Sequence, residues 1–219
     1  MRLLLASRNP GKLRELQELL SGLELSIVSL LDLGIATDIP ETGTTFLQNA
    51  TLKATGYSRL SGLVTLADDS GLEVDALGGA PGVQSARWAG PGASDSDRIR
   101  ALLERLQGVP PHQRQAQFHA VVAIATPDGR LFTTEGIVRG LIIDQPRGEH
   151  GFGYDPVFLL PDLGLTMAQL SPAAKNTVSH RARAARAARP ILERLLAEER
   201  ERQTHPDPTR PGAAAGHGR

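Results

Sequence analysis

An apolar run, Gly62-Leu63-Val64-Thr65-Leu66-Ala67, ends in two adjacent carboxylates, Asp68 and Asp69, followed by Ser70-Gly71. Aliphatic and β-branched residues in so short a run read as a buried strand. A buried strand that delivers acids at its end is a construction of open α/β sheets, where chemistry collects outside the carboxyl ends of the strands. The expectation is an α/β fold with Asp68 and Asp69 where the strand leaves the sheet. Two carboxylates this close do not both ionise cheaply without a cation or strong donors beside them. A divalent metal held by oxygen ligands answers that need. Mg²⁺, which binds through one or two carboxylates plus substrate phosphates, is the ion this chemistry predicts. Asp-Asp-Ser-Gly is also good turn chemistry, and these four residues alone leave both readings open.

A chain of 219 residues predicts one domain, or one bilobed domain, with ample core. Hydrophobic residues at 40% and charged residues at 22% fit a soluble globular protein. Zero formal net charge provides no global field that would pull the molecule onto nucleic acid. The absence of cysteine excludes disulfides and thiolate metal sites and leaves hard-cation chemistry open. No apolar run approaches the roughly 18 residues of a membrane span. The apolar part of MRLLLASRNPG is too short for a signal peptide. A cytoplasmic location without membrane partners is the expectation. Lysine occurs only at 12, 53 and 175, and arginine supplies every other basic residue. A lysine that persists under such a bias is a candidate for a place that needs a compact ammonium rather than a planar fork.

Taken in order, Leu3–Ala6 reads as a strand, Ser7–Lys12 as a loop, and Leu13, Leu16, Leu19 and Leu20 as a helical stripe. Strand, Asn/Gly loop, helix is a geometry that presents N–H groups to an anion. Ser7, Asn9 and Lys12 are candidates to cradle a triphosphate, although the loop is not a Walker A sequence and Ser7 or Asn9 serves equally as a helix cap. Leu25–Val28 reads as a strand. A helix is predicted from about Thr45 to Leu60, with Asn49 and Lys53 on one face, after a loop that carries Glu41 as a further oxygen donor. Leu72–Leu77 reads as strand or extended chain, and the Gly-rich stretch after it breaks regular structure. Asp95–Leu106 reads as a capped helix. Gln115–Thr126 and Arg130–Val138 read as an antiparallel hairpin around Pro127-Asp128-Gly129, which makes the sheet mixed. His119 in that hairpin reads as a cross-strand or core histidine.

In a chain with only 4% aromatic residues, Phe152 and Tyr154 flank Gly153. In an extended segment they project to one side and offer a platform for stacking a base; burial as core plugs is the competing reading. Ser171 and Pro172 open one helix. Ser179-His180-Arg181 opens another, with His180 and Arg181 as donors aimed outward from its start. Pro190 is expected to kink or restart that helix. From about Thr204 the chain is Pro/Gly-rich and is expected to be disordered.

Five segments together resemble one family, the inosine triphosphate pyrophosphatases or XTP/dITP diphosphatases. They are SRNPGK (7–12), ETGTTFLQNATLKA (41–54), ADDSGLEVDALGGAPGVQSARWAG (67–90), GFGYDP (151–156) and KNTVSHR (175–181). The resemblance spans Leu3 to Ala197. It implies an elongated mixed β-sheet flanked by helices, two lobes around a central nucleotide cleft within residues 1–203, Mg²⁺ dependence and a homodimer. It implies hydrolysis of deaminated purine nucleoside triphosphates to the monophosphate and pyrophosphate. Ser7, Arg8, Asn9, Pro10, Gly11, Lys12 and Lys53 would hold phosphates. Glu41 and Asp69 would serve the metal, with Asp68 a further candidate and Asp69 also the general base. Ser70 would contact the nucleotide. Phe152, Gly153, Tyr154 and Asp155 would stack on and position the base, and Lys175, His180 and Arg181 would read it. The chain departs from the family pattern at Gln48, where glutamate is usual, and at Gln84 and Trp88. A related pyrophosphatase acting on dTTP, UTP or modified pyrimidine nucleotides, and a nucleotide-binding regulator without catalysis, are the alternatives.

Overall fold

The computed structural model of the protein describes residues 1–204, and all but the first residue of the tail expected to be disordered (204–219) lies outside the described residues. Seven strands form one mixed sheet in the order β2-β1-β3-β4-β5-β6-β7. β1 (Arg2–Leu5) is flanked by β2 (Ser26–Ser29) and β3 (Val64–Val74), both parallel to it. From β3 onward the sheet is antiparallel: β4 (Gln115–Ala125), β5 (Leu131–Ile142), β6 (Phe158–Leu160) and β7 (Leu165–Thr166). The helices are α1 (Pro10–Leu19), α2 (Phe46–Ser61), α3 (Asp95–Arg105), α4 (Pro172–Val178) and α5 (His180–Thr204). The hairpin, the flanking helices and the mixed sheet agree with the sequence reading.

Local chemistry sets the ends of the site-forming elements. Asn9 caps α1, its side chain accepting from Lys12 N at 3.1 Å, and Pro10 occupies the first turn, where its missing N–H costs nothing. Thr45 caps α2, which stops at Gly62 in a left-handed conformation, φ 67°. Ser94 and Asp97 close a capping box on α3.

Side chains alternate across the sheet, so parity assigns each residue to a layer. Leu66, Ala120, Val122 and Ile124 pack with α1 and α5 residues such as Leu16, Ala184 and Ala188. Ala67, Val121, Ala123 and Ala125 pack with Phe46, Ala50, Ala54 and Tyr57 of α2. A third core gathers Leu72 and Val74 of β3 with Ile99 and Leu102 of α3 and Phe158 of β6.

Four details differ from expectation. β3 does not end before the acids; it continues through Asp68, Asp69, Ser70 and Gly71, because its pairing with β4 runs unbroken from Thr65↔Ala125 to Val74↔Ala116. β5 extends past Val138 to Ile142. α5 carries Pro190 inside one continuous helix rather than restarting there. The Phe152–Tyr154 segment is not extended: Gly151 and Gly153 take positive φ (78° and 63°), and a 3-10 turn begins at Asp155.

Candidate active site

β1 is shorter than β3. Its last pair is Leu5↔Leu66, and Ala6 N still donates to Leu66 O at 2.8 Å. Beyond that point the chain turns into the Ser7–Asn9 loop and leaves the edge of β3 without a strand partner. A cleft of about 500 Å³ opens there, within the usual size for a small-molecule site. Ser7, Arg8, Asn9, Lys12, Glu41 and Lys53 line one side of it, and Asp69 and Ser70 line its floor. Phe152–Asp155, Lys175, His180 and Arg181 also line it. All three lysines of the chain therefore face one cavity. Of the residues proposed from sequence, Pro10, Gly11 and Asp68 are not part of its wall. Gly11 lies under the Phe152 ring, where a Cβ would stand 2.8 Å from the ring edge.

Asp68 and Asp69 serve different layers of the fold. Asp68 points toward α1 and α5. Its Oδ2 accepts from Arg181 Nε at 3.2 Å and from Ser70 Oγ at 3.1 Å, and its Oδ1 lies 3.2 Å from Lys12 Nζ as an ion pair rather than an aligned hydrogen bond. Burial opposes ionisation, but Lys12, Arg181 and Lys53 outweigh it and hold this carboxyl far below the usual aspartate range. Asp69 points toward α2. Lys53 Nζ lies 3.7 Å from its Oδ1, while its Oδ2 is buried with no hydrogen-bond partner. Burial pushes Asp69 up, against Lys53 and Lys12, with Glu41 and Asp68 adding to the rise.

Lys53 is the junction of this half. Its ammonium donates to Asp68 O at 2.9 Å and stands 2.8 Å from Glu41 Oε1. Burial would lower its pKa, yet Asp69, Asp68 and Glu41 carry it above the ordinary value, so it is charged. Burial would likewise raise Glu41, but Lys53, Lys12 and Arg87 bring its net direction down. Lys12 moves the other way: burial lowers it more than Asp68 restores it, and Arg181 and Lys53 lower it further. The Arg8 guanidinium is held by the segment between β2 and α2. Its Nε donates to Asp38 at 2.7 Å and its Nη2 to the carbonyls of Ile35 and Ala36 at 3.0 and 2.9 Å.

At the other end, Lys175 Nζ donates to Asp155 Oδ2 at 2.6 Å, and Phe152 N donates to the same oxygen at 3.0 Å. Burial raises Asp155 despite Lys175. The Phe152 ring has Lys175 Nζ 4.9 Å and Arg181 Cζ 5.5 Å from its centroid, both within cation–π range. Tyr154 is instead a core anchor, buried, with its hydroxyl donating to Ser85 O at 2.9 Å. His180 and Arg181 are not donors projecting into solvent: both are buried. The His180 ring stacks on Phe118 at 4.7 Å, its Nδ1 has no partner, and burial, then Arg181 and Lys175, holds it well below 6.5 and hence neutral.

The sequence reading missed Glu15. From α1 it stands 2.7 Å from Lys175 Nζ and accepts from Arg181 Nη1, joining the two basic residues to that helix. Its one sequence signal is a position three residues after Lys12 on the same helix face. Asp95 and Arg98 also line the cleft, with no signal beyond an ordinary helix start. Gln48 accepts from Thr44 N at 2.7 Å, so its amide reinforces the start of α2.

The donor set fits a hard divalent cation. Asp69 offers a buried oxygen without a donor, Glu41 is adjacent through Lys53, and both are oxygen ligands. Among the described residues no group of three or more His, Cys, Asp or Glu side chains is placed to hold a metal ion by itself.

A mixed α/β sheet with a cleft that sets lysines and an arginine against a carboxylate floor defines a protein built to hold a small anionic ligand. A model described as the Ham1 family matches residues 3–191, and the chain belongs to the Ham1 family. It is 50% identical over 182 residues to a dITP/XTP pyrophosphatase of Geobacillus kaustophilus, covering 83% of this chain and 89% of that one. It is 43% identical over 190 residues to the dITP/XTP pyrophosphatase of Bacillus subtilis, covering 87% and 96%. Among solved structures, a HAM1 protein from Coxiella burnetii superposes with a TM-score of 0.81 at 41% identity, covering 89% of this chain and 99% of that one. A nucleoside-triphosphatase, dITP/XTP pyrophosphatase, from Mycobacterium abscessus gives 0.72 at 44% identity, covering 87% and 100%. No helix among the described residues is long and apolar enough to cross a membrane.

Proposed function

We propose that this protein hydrolyses deaminated purine nucleoside triphosphates (dITP, ITP and XTP) to the monophosphate and pyrophosphate. The observation that carries the reading is Asp69: a buried carboxylate oxygen without a partner, on the floor of a cleft between Lys12 and Lys53 at one end and Phe152, Lys175 and Arg181 at the other. The names borne by relatives at 43–50% identity support it.

The triphosphate chain lies against the first turn of α1 with Lys12 and Lys53, where helix N–H groups and ammonium charge favour anions. Asp69, ionised, orients a water and takes its proton as the water oxygen attacks the α-phosphorus in line. The bond from that phosphorus to the bridging oxygen breaks, and pyrophosphate leaves held by Lys12 and Lys53. Asp69 and Glu41 would hold Mg²⁺, which supplies charge neutralisation on the phosphate oxygens. Asp68 keeps Lys12 and Arg181 in place from behind the floor.

At the base end, the 6-oxo group of hypoxanthine or xanthine is an acceptor suited to donors from Lys175 and Arg181. The amino group of adenine presents a donor there and gives their remaining N–H groups no acceptor, a heavy penalty in a buried site. Phe152 provides the stacking face. One bilobed domain over residues 1–203, a homodimer and a cytoplasmic location complete the reading.

The test is product analysis with dITP, dGTP and dTTP, each with Mg²⁺ and with EDTA. Metal-dependent dIMP and pyrophosphate from dITP, with the other two nearly untouched, is the expected result. Turnover mainly of dTTP would move the protein to the pyrimidine class, and tight dITP binding without turnover would make it a regulator.

A further inference from the structure

Polar contacts of unequal value hold the segment that carries Phe152. Phe152 N to Asp155 Oδ2 lies within the segment, and Lys175 Nζ, donating to the same oxygen at 2.6 Å, ties the Asp155 end of it to α4. Tyr154 OH to Ser85 O ties it to another irregular segment, the 3-10 stretch Gly82–Arg87. Gly153 N to Asp95 Oδ2, at 2.7 Å, ties it to the first turn of α3. That helix is regular, carries a closed capping box and buries Ile99 and Leu102 in the core.

Gly153 is the apex of the segment. Its φ is 63°, and a Cβ built on it would meet nothing within 4 Å. The hydrogen bond from its N–H to Asp95 is the polar contact that holds this apex. The other oxygen of Asp95 pairs with Arg98, and Arg98 Nε donates to Ala86 O at 3.0 Å. One helical turn thus grips both irregular segments on this side of the cleft. Asp95 is half-buried and stays outside the hydrophobic core.

Resting on the reaction proposed above, we infer that Asp95 is a positioning residue for base recognition: it fixes the Gly153 apex, and through it the Phe152 ring, without touching the phosphate end. A carboxylate accepting a backbone N–H is a strong, directional contact. Losing it lets the ring drift from its place over Gly11 and beside Lys175 and Arg181. Asp69, Lys12 and Lys53 have no contact with Asp95 and keep their geometry.

The test compares wild type, Asp95→Ala and Asp95→Asn by steady-state kinetics with dITP and by calorimetric affinity for dIMP and for pyrophosphate. Asp95→Ala is expected to raise KM for dITP and Kd for dIMP about tenfold, with kcat and the pyrophosphate Kd within about twofold of wild type. Asp95→Asn, whose amide oxygen still accepts from Gly153 N, is expected to return both to within about threefold of wild type. A general loosening of the fold would raise all constants together, and that result overturns the inference. So does an alanine variant with unchanged dIMP affinity, or an asparagine variant as impaired as alanine. If the alanine variant fails to fold, Asp95→Ser, too short to reach Gly153, carries the same comparison. A wild-type protein that binds dIMP but does not turn dITP over sinks the proposed reaction alone, and the dIMP–pyrophosphate contrast still decides the role of Asp95. Wild type that binds no dIMP overturns both.

Discussion

Asp68 and Asp69 are joined by one peptide bond and face opposite sides of β3, Asp68 toward Lys12 and Arg181 and Asp69 toward Lys53. Strand pleat alone produces this split, and it gives two identical side chains opposite titration behaviour. Asp68 is held ionised by the cations that surround it, and Asp69 is pushed up by burial. The pair is thus one anion held by cations and one carboxyl whose ionisation burial opposes, a division that environment rather than residue type creates.

Asp69→Asn is expected to lose turnover by about 10²–10⁴-fold, the range for removal of a positioned general base, and to keep the fold. The stability effect has the opposite sign. Because the folded pKa of Asp69 lies above its unfolded value, its ionisation costs stability at neutral pH. In EDTA at pH 7 the variant should therefore melt at or above the wild-type temperature. That advantage should vanish as the pH falls below the unfolded aspartate value of about 3.9. Near-wild-type kcat in the variant would remove Asp69 from the mechanism.

Asp68→Asn is expected to act on stability first. Arg181 is fully buried and Lys12 largely so, and the variant leaves Lys12 without its ion-pair partner and Arg181 with Glu15 alone, a loss of about 3–5 kcal/mol for a broken buried pair. The folded pKa of Asp68 is depressed, so its contribution is complete above the unfolded value of about 3.9 and is lost as pH falls toward the folded one. Urea unfolding at pH 7 and pH 3 checks this: the gap between wild type and variant should be wide at the first and narrower at the second. A gap that does not change with pH would mean that Asp68 acts through packing rather than charge.

How far the site can be read from sequence depends on whether its residues announce themselves locally. The lysine bias pointed to Lys12, Lys53 and Lys175, and all three line one cleft. The capped helices and the β4–β5 hairpin were legible because caps, turns and periodicity are local signals. The course of β3 through the acids was not, since two aspartates argue against a strand interior and only long-range pairing with β4 overrides that preference. Glu15 was invisible because its partners, Lys175 and Arg181, lie more than 150 residues away in the chain. The extended course that the spacing of Phe152 and Tyr154 suggests gives way to a turn because two glycines with positive φ decide it, and a sequence shows that a glycine is present without showing which conformation it takes.

His180 is expected to remain neutral across the physiological range. Burial, then Arg181 and Lys175, depresses its folded pKa below the unfolded value near 6.5. Below about pH 6.5 the unfolded chain takes up a proton that folded His180 declines, so stability falls on acidification. His180→Gln should lose less stability between pH 7 and pH 5 than wild type does. Nitrogen chemical shifts of the imidazole give the direct check. A ring that titrates near 6.5 in the folded protein would contradict the burial argument, and dIMP affinity should show no inflection there that the glutamine variant abolishes.

Gly136 sets how closely α5 approaches the sheet. A Cβ at this position of β5 would stand 2.2 Å from His180 O and 2.6 Å from Ala184 N. Those are backbone atoms that no rotamer change can move aside. The helix meets the strand with small residues of its own, Ala182, Ala184, Ala185 and Ala188, all fully buried. Thr134 Oγ1 bonding to Ala184 O at 2.8 Å and Arg183 Nη1 to Ile137 O at 2.8 Å hold it there. Gly136→Ala must therefore push the start of α5 outward. Overpacking of this kind costs about 1–3 kcal/mol or more. The displaced turn carries His180 and Arg181, so the damage should extend to the base end of the cleft. The expected result is a lower melting temperature together with weakened dIMP binding, while pyrophosphate affinity falls less. Gly129→Ala, at a hairpin tip where a Cβ meets nothing within 4 Å, serves as the control for a glycine substitution that is strained but remote. Its melting temperature should fall through the cost of a positive φ of 91° alone, with dIMP affinity unchanged. Equal losses of dIMP binding in the two variants would show that Gly136 does not place the residues of α5.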